Sequence, residues 1–123
     1  MKITTFNPQI FTNDAKAVTR LFEELGFTKA HNPTGIGDLN VEGIRMKDAN
    51  GFALDISQPE MQLPQDLVGI RINVDDFDEA YQLLLARGFK NVYGDRIIET
   101  GSAKSAMMIS STGYGINLVQ HIK

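Results

Sequence analysis

Apolar and polar positions switch period along the chain in an order that occurs twice. Residues 3–12 are rich in Thr, Phe and Ile and read as a strand. Ala17, Val18, Leu21, Phe22 and Leu25 then recur at helical spacing, behind Asn13 or Asp14 as the cap and ahead of Gly26 as the stop. A strand from Phe27, a loop around residues 33–37, and strands over 39–47 and 52–57 complete this half. Asn50-Gly51 between the last two is a hairpin signal, since both residues tolerate positive φ.

The second half repeats the order. Residues 67–74 read as a strand, and Asp75 or Asp76 caps a helix whose apolar face is Phe77, Ala80, Tyr81, Leu84 and Leu85. Gly88 ends it. Strands follow at 89–93, with room to run on to 98, at 103–110 and at 115–121, with Thr112-Gly113 in the last turn.

One offset relates the halves. Asp14 and Asp76, Leu21 and Leu83, Gly26 and Gly88, and Phe27 and Phe89 are all 62 residues apart. The same spacing joins Met46 to Met108, Gly51 to Gly113, Leu54 to Ile116, Asp55 to Asn117 and Ile56 to Leu118. A single offset that serves both helix and late strands indicates an internal duplication. The expected division is a first βαβββ module over 1–58, a linker over 59–66 that holds Pro59 and Pro64 as a hinge, and a second module over 67–123, together one domain.

Composition narrows the function. With 123 residues, 42% hydrophobic and 22% charged, the chain is of ordinary globular type. The net charge of −3 and the scattered Lys and Arg argue against nucleic acid. Cysteine is absent, which removes disulfides, thiolate metal sites and cysteine nucleophiles. The first ten residues lack a signal-peptide pattern and no window is apolar enough for a membrane span, so a cytoplasmic protein without membrane attachment is expected.

The motifs resemble those of the vicinal-oxygen-chelate superfamily, which includes glyoxalase, bleomycin-resistance and dioxygenase proteins. The stretch from Asn13-Asp14 to Leu25-Gly26-Phe27, and that from Asp75-Asp76-Phe77 to Arg87-Gly88-Phe89, are similar to its helix with an acidic start and a Gly-Phe end. Lys47-Asp48-Ala49-Asn50-Gly51-Phe52 is similar to its turn before the last strand of a module, and Ser110-Ser111-Thr112-Gly113-Tyr114 is a weaker copy. A ferredoxin-like α+β domain is the rival, but it lacks the third strand after each crossover. The resemblance implies an α+β fold of two βαβββ modules forming a glyoxalase/bleomycin-resistance-like cup, paired within one chain or between chains. A homodimer is the expected assembly.

In metal-using relatives the ligands sit on the first and last strands of each module, usually as His or Gln and as Glu. Carried onto this chain, those positions are Asn7, Asp55, Gly69 and Asn117. Gly69 has no side chain, and two neutral amides with one carboxylate are poor donors for a catalytic divalent ion. His31 and His121 fall at none of them; His121 shares a face with Asn117 but lies about 13 Å along the strand. The expectation is therefore no metal and no cofactor.

Alternation places Asn7, Gln9 and Phe11 on the ligand-facing side of the first strand, and Gly69, Arg71 and Asn73 on that of the fifth. Asp55 and Ser57, and Asn117, Val119 and His121, face the same way on the closing strands. Arg71 either clamps an anionic group of a ligand or pairs with Asp55 or Glu99. Met46, Met107 and Met108 fit an adaptable wall or plain core filling. Glu99, if enclosed, is a candidate general base, as is Asp55; a solvated strand-end acid is the plainer reading of Glu99.

Three functions compete: a small-molecule-binding protein of the bleomycin-resistance type, a glyoxalase-like lyase or isomerase with Asp55 or Glu99 as base and an atypical metal site, and a partner-binding module. The missing ligands favour binding over catalysis. The polar lining favours it over a merely structural module. The expected ligand is small and polar or part-aromatic.

Overall fold

The computed structural model describes residues 1–31 and 42–122, so the expected loop at 33–37 and the start of the strand at 39–47 lie outside the described residues. Among the described residues there are nine strands and two helices, in two compact units. One unit is Asn7–Val68; the other combines Met1–Phe6 with Gly69–Lys123. Among the described residues no helix is long and apolar enough to cross a membrane.

The Asn7–Val68 unit holds most of β1 (Ile3–Phe11), then α1 (Ala15–Glu24), β2 (Thr28–His31), β3 (Glu42–Lys47) and β4 (Ala53–Gln58). Its strands lie in the order β2-β3-β4-β1, with β1 parallel to β4 and the others antiparallel. The second unit holds most of β5 (Leu67–Val74), then α2 (Phe77–Ala86), β6 (Lys90–Asn91), β7 (Ile98–Glu99), β8 (Ala103–Ile109) and β9 (Gly115–His121). Here the order is β5-β9-β8-β6, β5 is parallel to β9, and β7 also pairs with β8.

The registers coincide at the offset read from the sequence. Gln9 pairs with Asp55 and Ile10 with Ile56, while Arg71 pairs with Asn117 and Ile72 with Leu118. The turns match too. Asp48 Oδ1 accepts from the amides of Asn50 and Phe52, and Ser110 Oγ accepts from those of Thr112, Gly113 and Tyr114.

Each helix begins on two side-chain acceptors. Asp14 Oδ1 takes the amide of Ala17, and Asp76 Oδ1 that of Glu79, each at 3.1 Å. The first helical amide is taken from the end of the unit's last strand: Gln58 Oε1 accepts from Ala15 at 2.8 Å, and Gln120 Oε1 from Phe77 at 2.7 Å. These are donors that the helix itself leaves unpaired. The caps are thus Asp14 and Asp76, which leaves their neighbours for other work. Gly26 and Gly88 follow the helices at φ 109° and 92°, a region open to glycine.

One face of each sheet packs on its helix. In the first unit Ala15, Ile44, Met46, Leu54 and Ile56 are buried, with Ile10, Val18, Phe22 and Phe27 around them. In the second, Phe77, Ala80, Ala106, Met108, Ile116 and Leu118 form the same layer. The helical stripe is narrower than its sequence suggests: Leu21 is exposed, about 60° round the helix from Val18 and about 100° from Phe22, and Leu25 is exposed as the cap that follows the last helical residue.

The strand expected over 89–93 and on to 98 is two short pieces. Asn91 causes the break. Its Oδ1 accepts from the amide of Tyr93 at 2.9 Å and its Nδ2 donates to the carbonyl of Arg96 at 2.9 Å, so one buried amide closes a turn between β6 and β7. The 59–66 segment is similarly held. Asn13 Nδ2 donates to the Leu63 carbonyl at 2.8 Å and Oδ1 accepts its amide at 2.9 Å, with Leu63 buried.

Candidate functional site

The sheet face away from each helix carries the polar side chains. In the first unit β1, β4 and β3 set Gln9, Asp55 and Arg45 in one row, since Gln9 pairs with Asp55 and Asp55 with Arg45. Gln9 and Asp55 are buried at 3% and 4% exposure, and Ser57 at 8% lies one pleat along β4. Phe11 pairs with Ser57 on the β1 side and is buried as well.

Arg45 is the residue that the sequence reading missed. Its Nε donates to Asp55 Oδ1 at 2.8 Å and its Nη2 to Oδ2 at 3.3 Å, a side-on two-point grip. Asn7 Nδ2 adds a third donor, 3.0 Å from Oδ2. Both oxygens of Asp55 are therefore engaged. The signal was present in the Asn50-Gly51 turn: folding the chain there pairs Lys47 with Ala53 and Met46 with Leu54, and so sets Arg45 opposite Asp55. The backbone of His31 on β2 lies opposite Arg45 in turn.

In the second unit the corresponding row is Met107, Asn117 and Arg71. Arg71 Nε donates to Asn73 Oδ1 at 3.0 Å, and Asn73 is buried at 3% exposure. Met107 reaches across Gly115, where an added Cβ would meet its Cε at 2.5 Å. Gly69 is buried opposite Gly115, so no side chain projects from either. Met46 and Met108, by contrast, are wholly buried core residues.

The remaining candidates stand apart from these rows. His121 is exposed at the end of β9, opposite Ala103. Glu99 is exposed on β7, opposite Lys104. It is a solvated acid, and among the described residues no enclosed setting that would suit a base surrounds it.

No family model matches the chain, and no curated protein matches it by sequence. Solved structures do match. Methylmalonyl-CoA epimerase from Mycobacterium tuberculosis aligns with a TM-score of 0.67 at 14% identity, over 96% of this chain and 88% of that one. A Streptomyces coelicolor methylmalonyl-CoA epimerase variant in complex with 2-nitronate-propionyl-CoA gives 0.65 at 14%, over 99% and 100%. A glyoxalase/bleomycin resistance protein/dioxygenase superfamily member from Vibrio splendidus gives 0.61 at 16%, over 97% and 99%. The chain has a vicinal-oxygen-chelate fold.

A metal that this fold implies does not fit the donors of this chain. Asp55, the one carboxylate at the expected positions, has three N–H donors on its two oxygens. Asn7 turns its amino group, not its carbonyl, toward it. Gly69 offers nothing. Among the described residues no three His, Asp or Glu side chains are gathered as a metal would need.

Proposed function

We propose that the chain is a small-molecule-binding protein of the glyoxalase/bleomycin-resistance type, which holds a small polar or part-aromatic ligand on the helix-free sheet face without a catalytic metal. The observation that carries this reading is the contrast between the two faces. The helix-facing layers are apolar in both units, whereas the opposite face buries Gln9, Asp55, Ser57 and Asn73. Buried polar groups are costly unless they have partners, so a sheet that served only as scaffold would be built more stably from apolar side chains. The faces also differ between repeats. Core positions keep their character at offset 62, but Arg45 answers to Met107, Asp55 to Asn117 and Gln9 to Arg71.

Catalysis by a carboxylate base is not favoured. Asp55 is occupied by Arg45 and Asn7, and Glu99 is exposed. The reading includes a cytoplasmic homodimer, which light scattering after size exclusion would show at twice 13.6 kDa.

A thermal-shift screen tests the function. The panel comprises small carboxylic acids, planar aromatic antibiotics, thiol conjugates and acyl-CoA thioesters, each with and without added Ni, Zn, Fe or Mn. A ligand at about 100 times its Kd stabilises by about 2.7 kcal/mol, a rise of several degrees. The expected result is a rise independent of metal. A rise that requires metal, or a panel without any hit, overturns the reading.

A further inference from the structure

We propose that Asn50 is a site of spontaneous covalent modification, where the folded chain passes through a succinimide to aspartate or isoaspartate and acquires one more negative charge at the turn between β3 and β4. The inference does not depend on the ligand reading.

No other asparagine of the chain is followed by glycine. The following residue matters because its backbone nitrogen is the nucleophile and its side chain crowds the approach. Asn7 is followed by Pro8, whose nitrogen carries no proton, and Asn73 and Asn91 by the β-branched Val74 and Val92. The fold widens the difference. Asn73 and Asn91 are buried at 3% and 7% exposure, and the Asn91 amide is held by the Arg96 carbonyl and the Tyr93 N–H. Asn50 and Gly51 are both exposed. Gly51 stands at φ 86°, and among the described residues nothing lies within 4 Å of where a Cβ on it would be.

The turn is pinned by hydrogen bonds at the surface. Gly51 N–H donates to the Asp48 carbonyl at 3.1 Å, Asn50 N–H to Asp48 Oδ1 at 3.0 Å, and Phe52 N–H to the same oxygen at 2.9 Å. Phe52 is 67% exposed, so its ring does not anchor the turn in the core. Opening the turn therefore releases a few solvated hydrogen bonds and little buried apolar area, which places it at the low-energy end of native motions. Asp48 acts as a brake: its bonds must loosen before the Gly51 nitrogen reaches the Asn50 side chain.

In the opened turn hydroxide takes the Gly51 N–H proton and the nitrogen attacks Asn50 Cγ. The N–Cγ bond forms, the Cγ–Nδ2 bond breaks, and the side-chain nitrogen takes up a proton and leaves as ammonia. Water then opens the ring at Cγ to give aspartate, or at the main-chain carbonyl carbon to give isoaspartate. One water is consumed and one ammonia released, with no change of oxidation state. Either product carries a carboxylate beside Asp48. Isoaspartate also adds a methylene to the backbone where the Asp48 N–H bond to the Phe52 carbonyl and the Lys47–Ala53 pair close the ladder, two pairs from Arg45 and Asp55.

The test follows the full chain over time in mildly alkaline buffer, folded and in urea, by proteolytic digestion and mass spectrometry with chromatography that resolves aspartate from isoaspartate. In the folded chain conversion is expected at position 50 before any other asparagine. In urea it is expected to run about fivefold or more faster, the effect on a rate of releasing the turn's hydrogen bonds. Asp48→Ala is expected to move the folded rate toward the urea rate. Asn50→Thr copies the second unit, where Gly113 N–H donates to the Ser110 carbonyl at 3.2 Å behind Thr112, and is expected to fold and to show no conversion at this turn. If Asp48→Ala fails to fold, the wild-type comparison decides. A folded chain still intact at position 50 when the urea sample has fully converted, or one in which another asparagine converts first, overturns the site. Equal rates folded and in urea overturn the brake.

Discussion

Gln58 and Gln120 perform the same task 62 residues apart: each reaches from the end of its unit's last strand to the first amide of the helix, at 2.8 and 2.7 Å. The recipients, Ala15 and Phe77, are buried at 0% and 2% exposure, so water cannot replace the lost acceptor. Gln58→Leu and Gln120→Leu are each expected to destabilise by about 1–3 kcal/mol. Urea denaturation measures the loss, and unchanged midpoints would remove the strand-to-helix clasp from the account.

Arg45→Met is expected to cost about 2–3 kcal/mol, because Asp55 is left buried without its cation; the partial exposure of Arg45 keeps the figure below that for a fully buried pair. The double change Arg45→Met with Asp55→Asn copies the second unit, where Met107 faces Asn117. It is expected to recover more than half of the loss. Thermal unfolding of the two variants checks this, and a double variant weaker than the single one would contradict it.

Asn13 fastens the 59–66 segment through both hydrogen bonds to Leu63. In wild type the Leu63 amide is expected to be protected from hydrogen exchange. Asn13→Ala is expected to abolish that protection and to lower stability by about 1–2 kcal/mol. Asn13→Asp keeps the acceptor and loses the donor, so it is expected to fall between them.

Thr19 is the opposite case. Its side chain is buried at 4% exposure, and its hydroxyl has no hydrogen-bond partner among the described residues. Thr19→Val preserves the shape and removes the desolvated hydroxyl. A gain of about 1 kcal/mol, seen as a melting point higher by a few degrees, is expected.

What was legible in the sequence follows from range. The capping acids, the glycines past the helices and the 62-residue offset depend on neighbours in the chain, and they reappear at Asp14, Asp76, Gly26 and Gly88. The choice of Asp14 over Asn13 was not legible, because Asn13 is committed to Leu63, 50 residues on. The split of β6 from β7 was hidden for a similar reason: Asn91 diverts its amide into a turn. At the candidate site Asp55 was found by its place in the repeat, but Arg45 was not. Its counterpart at the offset is Met107, so a search for matching pairs passes over it. Only the strand register brings it to Asp55.

The two sheet faces differ in how far the halves agree at the 62-residue offset. The side against the helix carries matching layers, from Met46 and Met108 to Ile56 and Leu118, while the other differs residue by residue. Under the proposed function, folding and recognition would be entrusted to separate sets of side chains. One ligand could then be traded for another on the outer set while the inner set goes on specifying the same molecule.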